Sequence, residues 1–294
     1  MKRYKDNPIL KPLAEHPWES RMVFNASAVY EDGRVHILYR AMGDDGVSRL
    51  GYASSTNGYE FDERLSYPVF EPSISEEVDG CEDPRLTFLE GQYFMCYTAL
   101  RDRVSGPYQV SMTSIGVNDF TNKRWKWGNR WLPFSGIQNK DAALFPRKIN
   151  GEYLLLNRIE PDICVAYSDN LIKWCKVRAI IKPRRDKWDS VKVGIAGPPL
   201  EIDEGWLQIY HGMDFNKVYR LGSILLDKNN PETVIRRSEK PILEPVEEYE
   251  RFGAVPNVVF SCGAVKIDNE ILLYYGGADS VLCVANYDIN ELIP

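Results

Sequence analysis

The feature that most restricts this chain is a segment that recurs five times along it. Gly33-Arg34-Val35-His36-Ile37-Leu38-Tyr39-Arg40 returns as Gly91-Gln92-Tyr93-Phe94-Met95-Cys96-Tyr97-Thr98 and as Gly151-Glu152-Tyr153-Leu154-Leu155-Leu156-Asn157-Arg158. Gly205-Trp206-Leu207-Gln208-Ile209-Tyr210-His211-Gly212 and Asn269-Glu270-Ile271-Leu272-Leu273-Tyr274-Tyr275-Gly276 complete the series. Each copy follows a short run of small and apolar residues, reached through a turn rich in Asp, Asn and Gly. Those runs are Ala26–Tyr30, Pro84–Leu89, Ala142–Phe145, Pro198–Ile202 and Gly263–Ile267. A third strand-like run follows each copy, and an outer strand is expected near Trp125 or Trp174. Turn chemistry between two apolar runs is a hairpin signal. Five antiparallel units at a period above forty residues predict an all-β, five-bladed β-propeller. The units occupy the whole chain, so residues 1–294 are expected to form a single domain. A β-sandwich is the alternative, but sandwiches do not carry five similar hairpins in series.

The repeat also predicts where a site should form. The inner strands of a propeller run along its channel, and their ends meet at the channel mouth. Asn25 and Asp83 lie eight residues before the repeat glycines Gly33 and Gly91, and Asp141 lies ten before Gly151. Arg40, Arg158 and His211 stand at the far end of the following strand. Antiparallel pairing brings the two groups to one end, provided that no one-residue slip reverses the faces. Asp83 belongs to Gly80-Cys81-Glu82-Asp83-Pro84-Arg85, where the proline favours an extended conformation for the residue before it. A carboxyl held at a strand mouth suits a general acid. Read locally, the same stretch merely opens a strand and pairs Arg85 with Glu82 at the surface.

Charge and composition exclude several classes. A net charge of −6 argues against nucleic acid as a partner, so any anion must be held by a local cluster of cations. Three histidines (His16, His36 and His211) are too few for a mechanism built on several. The six cysteines show no CxxC or CxC spacing, which predicts reduced thiols in a cytoplasmic protein and no zinc site. No run of eighteen apolar residues predicts a membrane span, and the N-terminus lacks the apolar stretch of a secretory signal. Seven Trp and seventeen Tyr suit a β-rich fold and a sugar site.

In order along the chain, Asn7-Pro8-Ile9-Leu10, Asn25-Ala26-Ser27-Ala28, Tyr39-Arg40-Ala41 and Ser48-Arg49-Leu50-Gly51-Tyr52-Ala53 are followed by Glu82-Asp83-Pro84-Arg85. Then come Lys140-Asp141-Ala142-Ala143-Leu144-Phe145-Pro146-Arg147, Tyr210-His211-Gly212 and Tyr275-Gly276-Gly277-Ala278-Asp279. Through this series the chain resembles glycoside hydrolase family 130, the inverting β-mannoside phosphorylases with a smaller set of β-mannosidases. The resemblance implies a five-bladed propeller with Asp83 as general acid, its proton passing through the mannose 3-hydroxyl to the glycosidic oxygen. Inorganic phosphate, a co-substrate with no cofactor or metal beside it, would attack C1 from the opposite face to give α-mannose 1-phosphate. The resemblance places Arg147, Arg158, Lys192 and His211 on the phosphate. Lys148 adjoins Arg147, and alternation leaves open which of the two faces the site. Asn25, Arg40, Arg49, Asp141 and Asp279, with Glu82, would serve the mannose. Tyr219 and Arg220 would touch the acceptor or the phosphate. Family members often assemble, so a homo-oligomer is expected.

Two other readings stand beside this one. An inverting hydrolase would activate water with a second carboxylate roughly 6.5–9.5 Å from the acid, here Glu82 or Glu160. A non-catalytic carbohydrate-binding propeller would bind sugar without turnover. The linkage rests on loops rather than strands. Loops such as Arg101 to Pro107 and Arg124 to Phe134 are short, which suits a short substrate. The matched segments lean towards β-1,2 over β-1,4 mannobiose.

Overall fold

The computed structural model describes residues 1–102, 104 and 107–294. Arg103, Ser105 and Gly106 of the loop expected at Arg101 to Pro107 lie outside the described residues. The fold is all-β. Among the described residues, twenty strands form several largely antiparallel sheets, with three α-helices of four or five residues, Val117–Thr121, Glu248–Arg251 and Ile289–Leu292.

Strand β1 (Lys2–Arg3) is taken up by the last sheet. The first unit is β2 (Met22–Glu31), β3 (Arg34–Met42), β4 (Ser48–Ser55) and the short β5 (Glu63–Arg64). The second is β6 (Gly80–Leu89), β7 (Gln92–Leu100) and β8 (Tyr108–Gly116), joined to the first by one parallel pair, Ser48 with Gly80. The third is β9 (Lys140–Leu144), β10 (Tyr153–Ile159), β11 (Asp162–Ser168) and β12 (Cys175–Ile181). The fourth is β13 (Lys192–Ile195), β14 (Leu200–Ile202), β15 (Gly205–Met213), β16 (Tyr219–Leu226) and β17 (Val234–Arg237). The fifth, β18 (Val259–Ile267), β19 (Glu270–Gly277) and β20 (Val281–Asp288), is completed by β1.

The five recurring segments are the second strands β3, β7, β10, β15 and β19. Two details depart from the sequence reading. The outer strand forms beside Trp174, whereas Trp125 precedes irregular chain that only bridges back through Trp131 to Met112. The inner strand of the fourth unit was expected at Pro198–Ile202, but it is split. β13 pairs the far half of β15 and β14 the near half, because Pro198 and Pro199 between them have no N–H to give the ladder.

Apolar side chains cover both faces of these strands, as packed sheets require. Five clusters each draw on two units: first with second (Leu50, Tyr52, Leu86, Tyr93), second with third (Met112, Leu144, Leu155) and third with fourth (Leu154, Leu156, Trp206, Ile224). The fourth meets the fifth through Leu207, Leu221 and Leu273, and the fifth meets the first through Val265, Tyr274, Val35 and Ile37.

A second repeated device lies at one position of the second strands. Tyr39, Tyr97, Tyr210 and Tyr275 each donate a phenolic hydrogen bond to a fully buried carboxylate, respectively Glu19, Glu77, Asp189 and Glu250. Each carboxylate also takes an arginine: Arg64, Arg130, Arg237 with Arg184, and Arg3. A charge removed from water needs such partners, or burial would be prohibitive. The third unit has Asn157 there instead, fully buried, with neither amide atom hydrogen-bonded.

Candidate active site

The polar residues at the heads of the inner strands meet, and a local irregularity is what turns them inward. Asn25, Asp83 and Asp141 all have left-handed backbones, with φ of 49°, 52° and 54°. Pairing register shifts beside each of them, between Phe24 and Ser27, between Glu82 and Arg85, and opposite Asp141 between Leu156 and Arg158. These are β-bulges, which re-aim a side chain at the rim of a sheet. Asn and Asp are the non-glycine residues that tolerate this conformation best.

A pocket of about 180 Å³ opens there, lined by Asn25, Arg40, Asp83, Lys140, Arg158, Tyr219 and Asp279, with Val255, Val258 and Phe260 as its apolar wall. That is below the ~300–1,000 Å³ of a site for a drug-sized ligand, so it suits a single sugar ring better than a chain. Asp83 Oδ1 accepts from Asn25 Nδ2 at 2.8 Å and from Arg40 Nη1 at 3.3 Å. Asn25 has room because Gly276 carries no side chain: a Cβ there would stand 2.4 Å from Asn25 Oδ1. Burial alone would push the Asp83 carboxyl up, but Arg40, Arg85 and Lys140 outweigh it and hold the group below its ordinary value. Asp279 responds in the opposite direction. Burial, with Asp83 and Glu82 nearby, pushes it up to about 6 against the pull of Arg40 and Lys140. Glu82 accepts from Arg40 Nη2 at 2.5 Å and from Ser48 Oγ at 3.2 Å, so it orients the arginine that faces Asp83.

Behind the pocket, Asp141 is an anchor rather than a sugar ligand, which corrects the role expected for it. It is fully buried, with Arg158 Nη1 at 2.8 Å, Arg85 Nη2 at 3.1 Å and His211 Nε2 at 3.3 Å. Gly194 makes this possible, since a Cβ there would lie 2.4 Å from the His211 ring and 2.6 Å from Asp141. Arg85 is not paired with Glu82 at the surface. It is fully buried and donates to the carbonyls of Asp83, Ile195 and Ala196, tying β6 to β13.

His211 is not the cation that the sequence suggested. Burial lowers it to about 4 despite Asp141 beside it, so it is neutral at pH 7. It stands behind Arg158, with Nε2 3.4 Å from Nη1, and packs on Phe260. Arg158 itself is 2% exposed, and its Nη2 has no hydrogen-bond acceptor. Lys192 reaches the same neighbourhood, its ammonium 5.7 Å from the centre of the Tyr219 ring and 3.0 Å from Glu160 Oε1.

Three expected residues are not brought in. Arg147 lies in the turn after β9, at the end opposite the Lys140–Arg158 pair, where it grips Glu201 with Nε and Nη2 at 2.9 and 2.8 Å and covers Trp206. The neighbouring Lys148 is outside too, over Tyr153. Arg49 alternates outward from Ser48 to Asp45 and Glu71, and Arg220 alternates outward from Tyr219 to Asp214 and Glu244. Conversely, Lys140 was missed. The available signal was its place beside Asp141, directly across the ladder from Arg158. Among the described residues, no cluster of His, Cys, Asp or Glu could hold a metal ion.

Comparison with known proteins gives a consistent set of matches. A family model described as beta-1,4-mannooligosaccharide phosphorylase, Glyco_hydro_130, matches residues 1–294. A 1,2-beta-oligomannan phosphorylase of Thermoanaerobacter sp. (strain X514) is 44% identical, across 99% of this chain and 98% of its own. A beta-1,2-mannobiose phosphorylase of the same organism is also 44% identical, over 96% and 95%. The solved beta-1,2-mannobiose phosphorylase of Listeria innocua, in complex with beta-1,2-mannobiose, superposes with a TM-score of 0.88 at 26% identity, covering 99% of this chain and 98% of that one.

Proposed function

The chain belongs to glycoside hydrolase family 130, and from that premise we propose that it is an inverting β-mannoside phosphorylase, a glycosyl transferase acting on β-1,2-mannobiose or short β-1,2-mannooligosaccharides. Phosphorolysis of β-mannosides, with phosphate as co-substrate and no cofactor, is the activity of its relatives by name. The β-1,2 preference follows the two relatives that share 44% of its residues.

One observation carries the choice of phosphate over water. Arg158 is buried at the pocket wall with a charged nitrogen that lacks an acceptor. A buried donor without a partner is costly, and a phosphate oxygen is the acceptor that a guanidinium fits best. Lys140 and Lys192 extend the positive surface around it. Neutral His211 and buried Asp141 fix the guanidinium from behind.

Asp83 is then the proton donor. In the empty pocket it is a carboxylate held low by Arg40 and Lys140. A bound phosphate dianion offsets those charges, so its arrival raises the proton affinity of Asp83. Substrate excludes water and strengthens the same effect. The proton passes by way of the mannose 3-hydroxyl to the glycosidic oxygen as phosphate attacks C1, and α-mannose 1-phosphate leaves with a shortened acceptor. Asn25, Arg40 and Asp279 hold the sugar, Val255 and Val258 face its apolar surface, and Tyr219 borders the acceptor or phosphate. Of the two carboxylates that an inverting hydrolase would use as base, Glu82 is engaged by Arg40 and Ser48, and Glu160 sits on Lys192 among the cations proposed for phosphate.

The sheets are read as five blades of a closed propeller forming one domain. That reading is supported by the apolar cluster shared between the fifth and first units and by β1 pairing with β20. A cytoplasmic setting is supported by six unpaired cysteines, five of them buried. No helix among the described residues is long and apolar enough to cross a membrane.

Incubating the protein with β-1,2-mannobiose, with and without inorganic phosphate, tests the proposal. Mannose 1-phosphate should form only when phosphate is present, and equal sugar release without it would overturn the reading.

A further inference from the structure

We propose that Glu160 is a tethered competitor for the nucleophile: its carboxylate pairs with Lys192 and must be displaced when phosphate binds. The inference rests on the phosphorylase reading and adds to it a residue that sets phosphate affinity and anion selectivity.

Glu160 follows β10 directly, in the turn that pairs Ile159 with Asp162. Strand alternation places it on the same side as Arg158, two residues earlier. Its Oε1 lies 3.0 Å from Lys192 Nζ and 3.9 Å from Arg158 Nη2, the nitrogen without a hydrogen-bond acceptor. The pair is graded in depth. Side-chain exposure is 2% for Arg158, 22% for Lys192 and 47% for Glu160. The cations are therefore fixed inside, while the carboxylate sits at the solvent end, where it can swing away. Burial works against its charge, but Lys192, Arg158 and Lys140 together hold Glu160 ionised.

A fixed anion here would oppose the reaction, because two negative charges at this range repel. A displaceable one does something useful. It offsets the charge of Lys192 until an anion takes its place. It also sets a threshold for entry. A tetrahedral dianion that contacts Arg158, Lys140 and Lys192 together outcompetes one carboxylate, whereas a singly charged anion does not. Affinity for phosphate, and for the sugar phosphate formed from it, is correspondingly weakened, which favours product release.

The test compares wild type, Glu160→Gln and Glu160→Asp. Removing the charge should lower KM for phosphate about three- to tenfold, the range expected for a half-exposed pair next to a dianion. KM for α-mannose 1-phosphate in the synthetic direction should fall in parallel, while KM for mannobiose should stay put. Nitrate and chloride should become competitive inhibitors against phosphate in Glu160→Gln but not in wild type. Glu160→Asp, which keeps the charge, should return KM towards the wild-type value. A purely structural role would move the melting temperature and both substrates' KM together, without creating monoanion inhibition. An unchanged or raised phosphate KM in Glu160→Gln would overturn the proposal, and so would loss of mannobiose affinity alongside it. If wild type itself turns over without phosphate, the underlying reading of the site has failed instead, and the two failures are distinguishable.

Discussion

Two sets of buried carboxylates in this protein are built from the same parts and end in opposite conditions. Along the second strands, Glu19, Glu77, Asp189 and Glu250 each meet a tyrosine hydroxyl and at least one arginine. Glu250 also takes the amides of Val246 and Glu247. None of their oxygens is left without a partner. Around the pocket, Asn25 Oδ1, Arg158 Nη2 and His211 Nδ1 are all buried without a hydrogen bond, and Asp141 Oδ2 is met only by Arg158 and His211. Saturation makes a cluster a fixture of the fold, and incompleteness makes it a receptor. The energy withheld at Asn25 and Arg158, which line the pocket, would be regained where a ligand supplies the missing partner.

The contrast would fail most visibly at the pocket. Asp83→Asn should lower phosphorolysis about 10²–10⁴-fold, the usual contribution of a positioned acid, with the melting temperature nearly unchanged. Full activity in a folded Asp83→Asn protein would remove the acid assignment. Next in size, Asp189→Asn should cost about 3–5 kcal/mol of stability, because it removes the fully buried anion shared by the partly buried Arg237 and Arg184. Turnover per folded molecule should hold, and a loss of turnover at full stability would erase the distinction between the two sets. Tyr97→Phe, which removes one hydroxyl from Glu77, should cost about 1.5–3 kcal/mol by urea denaturation.

The smallest effect concerns Asp279, whose proton is held more tightly in the folded chain (about 6) than in the ordinary carboxyl (3.8). Its contribution to stability is therefore greatest below about pH 3.8, falls as pH rises through about 6 and is level above that. In Asp279→Asn the slope disappears, so the variant should gain on wild type between pH 4 and 6 in denaturation series. A constant difference across that range would mean that Asp279 is not held in this way.

The five hairpins were legible in the sequence because turn chemistry and apolar runs are local properties. Asp83, Asn25, Arg40 and Arg158 were legible as members of one site because they sit at matching repeat positions, and Asp279 through the family resemblance. The misassignments have a common cause. Arg147, Arg49 and Arg220 were placed by motif, and the decisive property, which side of a strand or which end of a hairpin faces the pocket, changes with a step of one or a few residues. The same bulges that turn Asp83 inward also break the simple period, so Asp141 was found at the right end of the channel but its buried contact with Arg85 was not. The tyrosine–carboxylate clusters went unread for a different reason. The tyrosines repeat visibly, but their partners lie outside the strands, 20, 20, 21 and 25 residues upstream, and only Trp18-Glu19-Ser20 and Trp188-Asp189-Ser190 resemble each other. The neutrality of His211 depends on depth of burial, which no spacing encodes.

The left-handed backbone at Asp83 subjects that position to two independent demands. In the proposed mechanism it must be a carboxylic acid for proton transfer, and its backbone asks for one of the few residues that accept φ near 50° without a penalty of roughly 1–2 kcal/mol. Glutamate meets the first demand and fails the second, while asparagine does the reverse. Anyone wishing to retune the acid strength of this enzyme is therefore better served by altering Arg40 or Lys140, which lower the carboxyl and whose backbones carry no such constraint, than by touching the acid itself.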